Sequence, residues 1–361
     1  MVTDVELMRR ALFHAARAAG ATAPNPMVGA VVVARDGIIV GQGRHPKAGE
    51  AHAEVFALDQ AGERAHGGTL YVTLEPCCHF GRTAPCTTRV IASGVTRVVV
   101  AMKDPNPLVN GQGIAELRAA GLQVEVGLLE EEARRLNRGF VTVQTLGRPE
   151  VIVKAASSAD GFIAARPGDH TTITAAAANR RVQRLRAVVD GVAIGSGTLL
   201  ADDPRLTVRE SVRSRPLIRA VFDRRLRVPP TARLLSTLSA GPVIILTSAR
   251  SLEREALRAR ALREMGATLV AGGDDILGAI RSLLAFDVTS VLVEGGAVIH
   301  QALFEAGVVD TVHLIVSPNR LGPGGVPVFG TGLVGVPGMD PSRVIELGPD
   351  RWMEFDVHGN R

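Results

Sequence analysis

The residues best equipped for chemistry stand together in the first hundred: His52-Ala53-Glu54, then Pro76-Cys77, then Pro85-Cys86. One imidazole and two thiolates give a zinc ion three protein ligands, and a catalytic zinc keeps its fourth position for water. Zinc lowers the pKa of such a water until hydroxide is available near neutral pH. Glu54 comes two residues after His52, at the start of a helix, and so points elsewhere than the ligand. A carboxylate there can take a proton from water and hand it to a leaving amine. The expected metal is one Zn2+ per chain on His52, Cys77 and Cys86, with Glu54 catalytic.

The chain holds only three cysteines, Cys77, Cys78 and Cys86. A disulfide framework would spread them and favour an even count, so the cluster reads as ligands. The pattern resembles the His-x-Glu and Pro-Cys-x-x-Cys signature of zinc deaminases, with one departure. Eight residues, CHFGRTAP, separate Cys77 from Cys86 where that signature has two. Cys78 is too close to Cys77 to replace Cys86 in a chelating pair and reads as a bystander thiol, although it could compete. A structural zinc stays open as an alternative; it would need Cys78, His79 or a distant histidine as its fourth ligand.

The elements that must carry these residues alternate. Met8, Ala11, Leu12, Ala15, Ala16 and Ala19 recur at helical spacing until Gly20. Val28 to Ala34 and Ile38 to Val40 flank an Asp36-Gly37 hairpin turn. Helices are expected at His52–Ala61, Thr87–Ser93 and Ile114–Ala120, with strands at Thr69–Thr73, Arg97–Ala101 and Gln123–Val126. A boundary falls near Gly147-Arg148-Pro149, which gives two domains, 1–147 and 148–361. The second half carries strands Val151–Ala155, Val192–Gly195, Leu217–Phe222, Val243–Leu246, Ser290–Val293 and Thr311–Val316. Its helices are Ala175–Val189, Leu252–Met265 and Asp274–Phe286. This is α/β layering twice over, without an internal repeat.

Composition narrows the function. Lys+Arg 41 against Asp+Glu 36 leaves a formal charge of +5, with both signs interleaved; nucleic-acid binding needs a clustered patch. Aromatic residues are 3% of the chain, too few for a base-stacking platform. No run of 18 apolar residues exists to span a membrane. The first residues, MVTDVELMRR, lack the apolar centre of a signal peptide. A cytoplasmic protein with no nucleic-acid or membrane partner is expected.

Longer motifs point to a family. Pro24-Asn25-Pro26-x-Val28-Gly29, Ala48-Gly49-Glu50-x-His52-Ala53-Glu54-Val55 and Thr73-Leu74-Glu75-Pro76-Cys77 resemble the bifunctional riboflavin-biosynthesis deaminase–reductases. So do His79-x-Gly81-Arg82-Thr83-x-Pro85-Cys86, Asp104-Pro105-Asn106-Pro107 and Asn137-x-Gly139-Phe140. In the second half the resemblance continues through Lys154-x-Ala156-x-Ser158-x-Asp160-Gly161, Thr198 to Arg209 and Val293-Glu294-Gly295-Gly296. It implies an N-terminal cytidine-deaminase-like α/β/α layered domain and a C-terminal dihydrofolate-reductase-like α/β domain.

The resemblance further implies two successive reactions on one phosphoribosyl pyrimidine: zinc-dependent hydrolytic deamination of 2,5-diamino-6-(5-phosphoribosylamino)pyrimidin-4-one, then NADPH-dependent reduction of ribosyl to ribityl. By the same analogy Ala156, Thr172, Thr198, Asp202 and the stretch Gly296, Ala297, Val298 contact NADPH. Asn25, Lys154, His170, Arg186, Leu206, Arg209 and Glu294 contact substrate. Arg186 and Arg209 have the guanidinium geometry for bidentate phosphate binding. Gly295-Gly296, between an apolar strand and a helix, lets backbone approach a dinucleotide phosphate; a plain strand-to-helix turn is the bland reading. Gly195-Ser196-Gly197 has Leu200 where a third glycine belongs, so it is no Rossmann fingerprint. For Asp202-Asp203 the bland reading is a helix start or a turn.

Departures lie in the second half. His170 replaces a usual Ser, Thr171-Thr172-Ile173-Thr174 lacks a usual Trp, and Ala175-Ala176 replace a Ser-Pro helix start, removing the local cap. Arg224 stands where Ser is usual and can meet a 2′-phosphate. A homo-oligomer, dimer or tetramer, is expected. The competing readings are a zinc deaminase acting on nucleic acid and a zinc-stabilised nucleic-acid-binding module without catalysis.

Overall fold

The computed structural model describes residues 2–80, 84–166, 172–272, 275–329 and 339–358. Two compact units divide the chain, Met1–Gly147 and Arg148–Arg361. His170, Thr171 and the loop residues Gly81, Arg82 and Thr83 lie outside the described residues.

The first unit runs α1 (Asp4–Ala16), β1 (Gly29–Val33), β2 (Ile39–Arg44), α2 (Ala53–Ala61), β3 (Thr69–Val72), α3 (Cys86–Ala92), β4 (Arg97–Val100), α4 (Gln112–Ala119), β5 (Gln123–Val126), α5 (Glu130–Leu136) and α6 (Arg138–Leu146). Its sheet has the order β2-β1-β3-β4-β5, antiparallel around β1 and parallel from β3 to β5. The run GAVVV of β1 is buried at every position, as a strand covered on both faces must be. Strand periodicity assigns the covering helices. Gln42 meets His14 of α1 at 2.9 Å, whereas its neighbours Gly41 and Gly43 face α2. A Cβ on Gly41 would sit 1.9 Å from the Ala57 carbonyl oxygen, and one on Gly43 2.3 Å from that of Ala53. Because successive residues point to opposite faces, α1 and α2 cover opposite sides, which makes the unit an α/β/α sandwich. Glycine at 41 and 43 lets α2, and the site it carries, lie directly against the sheet.

The second unit comprises β6 (Glu150–Ser157), β7 (Phe162–Ala164), α7 (Ala176–Val188), β8 (Gly191–Gly195), α8 (Ser196–Asp202), β9 (Ile218–Phe222), β10 (Val243–Thr247), α9 (Ala249–Arg254), α10 (Ala256–Glu264), β11 (Thr268–Ala271), α11 (Ile276–Ser282), β12 (Ser290–Val293), α12 (Ala297–Glu305), β13 (Thr311–Val316), β14 (Val326–Pro327), β15 (Arg343–Leu347) and β16 (Asp350–Asp356). Nine strands form one sheet, β11-β10-β9-β8-β12-β6-β13-β16-β15, while β7 and β14 pair separately. From β11 to β13 all neighbours are parallel; β16 and β15 close the edge antiparallel. Val151, Val153 and Ala155 of β6 join a core with Ala279, Ile280, Ile299 and Leu303. Ile152, on the other face, joins Leu199, Ala259 and Leu262. Helices therefore cover both faces, and β12 returns between β8 and β6, opening a crevice at the carboxyl ends of these strands.

Several elements depart from the expectation. The stretch Leu252–Met265 is two helices, broken at Glu255 (φ −107°, ψ 38°). The tail of Asp274–Phe286 tightens into a 3-10 turn over Leu283–Phe286. Strands β11, β15 and β16 and helices α5, α6 and α8 are not among the expected elements, although α5 carries Glu130, Glu131 and Glu132 in its first turn and Gly147 closes α6 in the left-handed region. Arg343 and Val344 of β15 are exposed, so the alternation that marks a half-buried strand is blurred at this edge.

Candidate active sites

His52 holds the N-cap position of α2, in extended conformation (φ −78°, ψ 166°), without a capping bond from its side chain; Cys86 opens α3, and Cys77 lies within the loop that joins β3 to α3. Nδ1 of His52 lies 3.1 Å from Cys86 Sγ and 3.6 Å from Cys77 Sγ, and the Cys86 amide reaches Cys77 Sγ at 3.4 Å. The three donor atoms fall within 4.8 Å of one another, and among the described residues no fourth His, Cys, Asp or Glu joins the cluster. One nitrogen and two sulfurs, open on the fourth side, suit a catalytic zinc. Hydrogen bonding from Cys86, then the nearby His52, pulls the Cys77 thiol down to about 4, against the opposing effect of burial. Donation to Cys77 and burial push Cys86 up.

Glu54 is 3% exposed, and its Oε2 is buried without a hydrogen-bond partner. Burial, opposed by His52, pushes this carboxyl up to about 7. A group that titrates there can both accept and release a proton near neutrality.

Other residues hold the loops around this cluster. Asn25 Nδ2 lies 3.1 Å from His45 Nε2, and the His45 ring packs edge-on against His52 with centroids 5.2 Å apart. Asn137 accepts from the Met27 amide at 2.7 Å and donates to the Met27 carbonyl at 2.9 Å, clamping the Pro24–Val28 loop. The Glu75 carboxylate accepts the amides of Asp104, Gly111 and Ile114. Sequence reading singled out Asn25 but missed His45; the signal was the His45-Pro46 step just ahead of the Ala48-Gly49-Glu50 motif.

The second unit holds a cleft of about 1270 Å³ at the carboxyl ends of the parallel strands. It gathers Lys154 and Ala156 of β6, Thr172, Arg186 of α7, Thr198 and Asp202 of α8, Arg209, Glu294, and Gly296, Ala297 and Val298 at the start of α12. The Arg186 guanidinium forks onto Glu294, with one contact at 2.9 Å, and also donates to the Thr207 carbonyl at 3.0 Å. Burial acts to raise the Glu294 carboxyl, but the charge and hydrogen bond of Arg186, with Lys154, outweigh it and hold it low. Burial also lowers the Lys154 amine, against the pull of Glu294.

Two expectations are corrected here. The Arg186 fork is closed on Glu294, so it is not free for bidentate phosphate binding. Leu206 does not line the cleft: its side chain, 3% exposed, is buried with Val192, Ile194 and Leu217. An apolar side chain there gains more from the core than from a polar crevice.

A dinucleotide fits the cleft on this chain's own features. The cleft has the volume for it, and the start of α12 faces it; there the Gly296 amide donates to Thr198 Oγ1 at 3.0 Å, and a Cβ on Gly295 would stand 1.8 Å from Ile299 Cγ2, so Gly295 serves the close packing of α12. Arg224, Arg225 and Arg227, just beyond β9, also line the cleft. Asp202 ends α8 and Asp203 follows it in the left-handed region (φ 39°), accepting the Arg233 amide at 2.8 Å; the pair closes the helix and does not start one. Gln183, which also lines the cleft and accepts the Arg209 amide at 2.8 Å, was missed, though it stands one helical turn before Arg186.

An open three-ligand metal cluster beside a buried carboxylate, followed by a parallel-sheet unit with a dinucleotide cleft, defines a zinc deaminase joined to a reductase. Comparison with known proteins agrees. The family model for the cytidine and deoxycytidylate deaminase zinc-binding region matches residues 1–102, and that for the RibD C-terminal domain matches residues 149–351. Riboflavin biosynthesis protein RibD of Aquifex aeolicus is 42% identical over 322 residues, covering 89% of this chain and 88% of the relative. That of Escherichia coli is 41% identical, covering 88% and 89%. The structure of Acinetobacter baumannii RibD superposes with TM-score 0.86 at 35% identity and 98% coverage of both chains. So does a Thermotoga maritima diaminohydroxyphosphoribosylaminopyrimidine deaminase/5-amino-6-(5-phosphoribosylamino)uracil reductase, at TM-score 0.86, 34% identity and 98% coverage of both. The chain belongs to the RibD family of bifunctional deaminase–reductases of riboflavin biosynthesis. It uses zinc in the first activity and NADPH in the second.

Proposed function

We propose that residues 1–147 deaminate 2,5-diamino-6-(5-phosphoribosylamino)pyrimidin-4-one and that residues 148–361 reduce the ribosyl group of the product to ribityl. His52, Cys77 and Cys86 would hold the zinc, which supplies a water acidic enough to attack near neutral pH. Glu54 Oε2 takes a proton from the attacking water and delivers it to the departing amine nitrogen. Its burial supports this role, since a carboxyl near 7 is suited to both transfers. Asn25 orients the pyrimidine from beside His45.

In the second unit Gly296 to Val298, Thr198, Asp202, Ala156 and Thr172 would hold NADPH, which supplies the hydride. Arg224, with Arg225 and Arg227 beside it, is suited to the 2′-phosphate. Lys154 Nζ carries a proton for the sugar oxygen freed on reduction, Glu294 orients the sugar hydroxyls, and Arg186 keeps Glu294 ionised. Arg209 binds the sugar phosphate. We assign His170 to the same substrate by its family position alone.

We further read the protein as a cytoplasmic homo-oligomer, dimer or tetramer, that does not act on nucleic acid. Thiols gathered as ligands support a reducing compartment, and the interleaved charges speak against a polynucleotide partner.

The observation that carries the proposal is Glu54, buried and proton-poised beside three zinc donors. Product mass from zinc-loaded protein tests it. Without NADPH the substrate should exchange NH for O; with NADPH it should then gain two hydrogens as well. Glu54→Gln should stop the first change and Glu294→Gln the second. Unaltered rates in either variant would remove that residue from the chemistry.

A further inference from the structure

Helix α7 forms one wall of the reductase cleft: Asn179, Val182, Gln183 and Arg186 all face it, at helical spacings of three and four residues. Its own sequence does little to hold its ends. The N-cap is Ala175, no side chain caps it, and the first turn carries no acidic residue. Both ends are instead gripped from distant parts of the chain. At the amino end Oδ2 of Asp350, the first residue of β16, accepts the Ala175 amide at 2.7 Å; Asp350 is 1% exposed. At the carboxyl end the Arg213 guanidinium donates to the carbonyls of Arg186 and Val189, the latter at 2.8 Å, and braces itself on the Arg215 carbonyl at 3.0 Å.

These charges have the signs that a helix favours, an anion at the amino end and a cation at the carboxyl end. They also satisfy backbone groups that a helix leaves orphaned. The carboxyl-end grip falls on the residue that matters: the carbonyl held by Arg213 belongs to Arg186, whose side chain is forked onto Glu294 in the cleft. A shift of α7 along its axis would move Arg186 against Glu294. It would also move Gln183, which fixes the Arg209 amide.

We propose that Asp350 and Arg213 are positioning residues of the reductase, a two-ended clamp that sets α7 so that Arg186 holds Glu294 against the sugar hydroxyls and Gln183 holds the Arg209 segment at the sugar phosphate. Neither touches the ligand; both act through α7. The proposal rests on the assignment of the reductase site to this cleft.

The test uses the full-length, zinc-loaded chain and the deaminated phosphoribosylamino pyrimidine with NADPH, and compares Asp350→Ala, Asp350→Glu, Arg213→Met and Arg213→Lys. The Ala and Met variants should raise KM for the pyrimidine by about tenfold, the scale of a lost helix-terminal charge, with kcat changed far less. The Glu and Lys variants should recover most of that loss, and deamination by the same chains should stay at the parent rate. A merely structural role predicts the opposite split: a lower Tm and a lower apparent kcat from lost folded protein, at the parent KM. Parent KM in both Ala and Met variants would overturn the clamp. Glu294→Gln, run alongside, separates the two claims: if it too reduces normally, the assignment of the cleft has failed and not only the clamp. Should Asp350→Ala fold poorly, Arg213→Lys against Arg213→Met decides at the other end.

Discussion

At the scale of single residues the deaminase turns on a carboxyl that pays a burial cost. Glu54→Gln keeps size and removes the proton carrier, so deamination should fall by about 10²–10⁴-fold while bound zinc, measured by metal analysis, is retained. The same burial predicts a pH signature in chelator-stripped protein. With a folded pKa raised from 4.5 to about 7, the folded state binds the extra proton between those values. Stability present below pH 4.5 is therefore lost as pH rises to 7, by about 3 kcal/mol. Denaturant titrations of the stripped parent should show that slope, and stripped Glu54→Gln should lack it; equal slopes would mean that Glu54 is not desolvated. In the second unit Arg219 shows how far a charge can be buried without a carboxylate. It is fully buried and donates to the carbonyls of Arg205, Leu234, Thr237 and Gly241, and burial lowers it to about 10. Its contribution is to tie loops to β9.

Elements set distances that residues cannot set alone. Helix α2 delivers His52 and Glu54 only because Gly41 and Gly43 let it lie on β2. Gly43→Ala would place a Cβ 2.3 Å from the Ala53 carbonyl oxygen, and backbone on both sides leaves no flexible tip to move. We expect a loss of about 1–3 kcal/mol, the usual cost of overpacking, with weaker zinc binding in a competition titration. Unchanged zinc affinity would show that the site does not depend on this close approach. Helix α7 offers the converse experiment. Ala175→Ser restores a local cap worth about 1 kcal/mol, which in a unit of this size is a rise of about 2–4 °C in Tm. No rise in a thermal scan would mean that the new hydroxyl does not reach the amides of the first turn, which the Asp350 bond to the Ala175 amide leaves unused.

At the scale of the molecule two chemistries with different requirements share one chain. Stripping zinc should abolish deamination yet leave the reduction of supplied deaminated substrate at its normal rate, followed by NADPH absorbance. Restored zinc should bring deamination back. Loss of both activities on chelation, with no fall in helical circular dichroism, would contradict the assignment of zinc to the first activity alone. The parallel sheet that places Lys154, Glu294 and Gly296 at neighbouring strand ends is itself assembled from β6, β8 and β12, which are distant in sequence.

Much of this was legible in the sequence because it is local. Ligand identity at His52, Cys77 and Cys86, the carboxylate two residues on, the apolar run of β1 and the glycines after β12 are written in residue type and short spacing. What the tertiary structure alone decided is pairing across the chain. It closed the Arg186 fork on Glu294, sent Leu206 into the core, and gave α7 a cap from a residue 175 positions away. Strand β16 became a strand by pairing between β13 and the edge strand β15, and β15 by pairing with β16, not by their own pattern. The division has one physical cause. Metal chemistry and amphipathic periodicity are set by neighbours along the chain, whereas a buried charge or an uncapped helix end takes whatever partner the fold brings within hydrogen-bond reach.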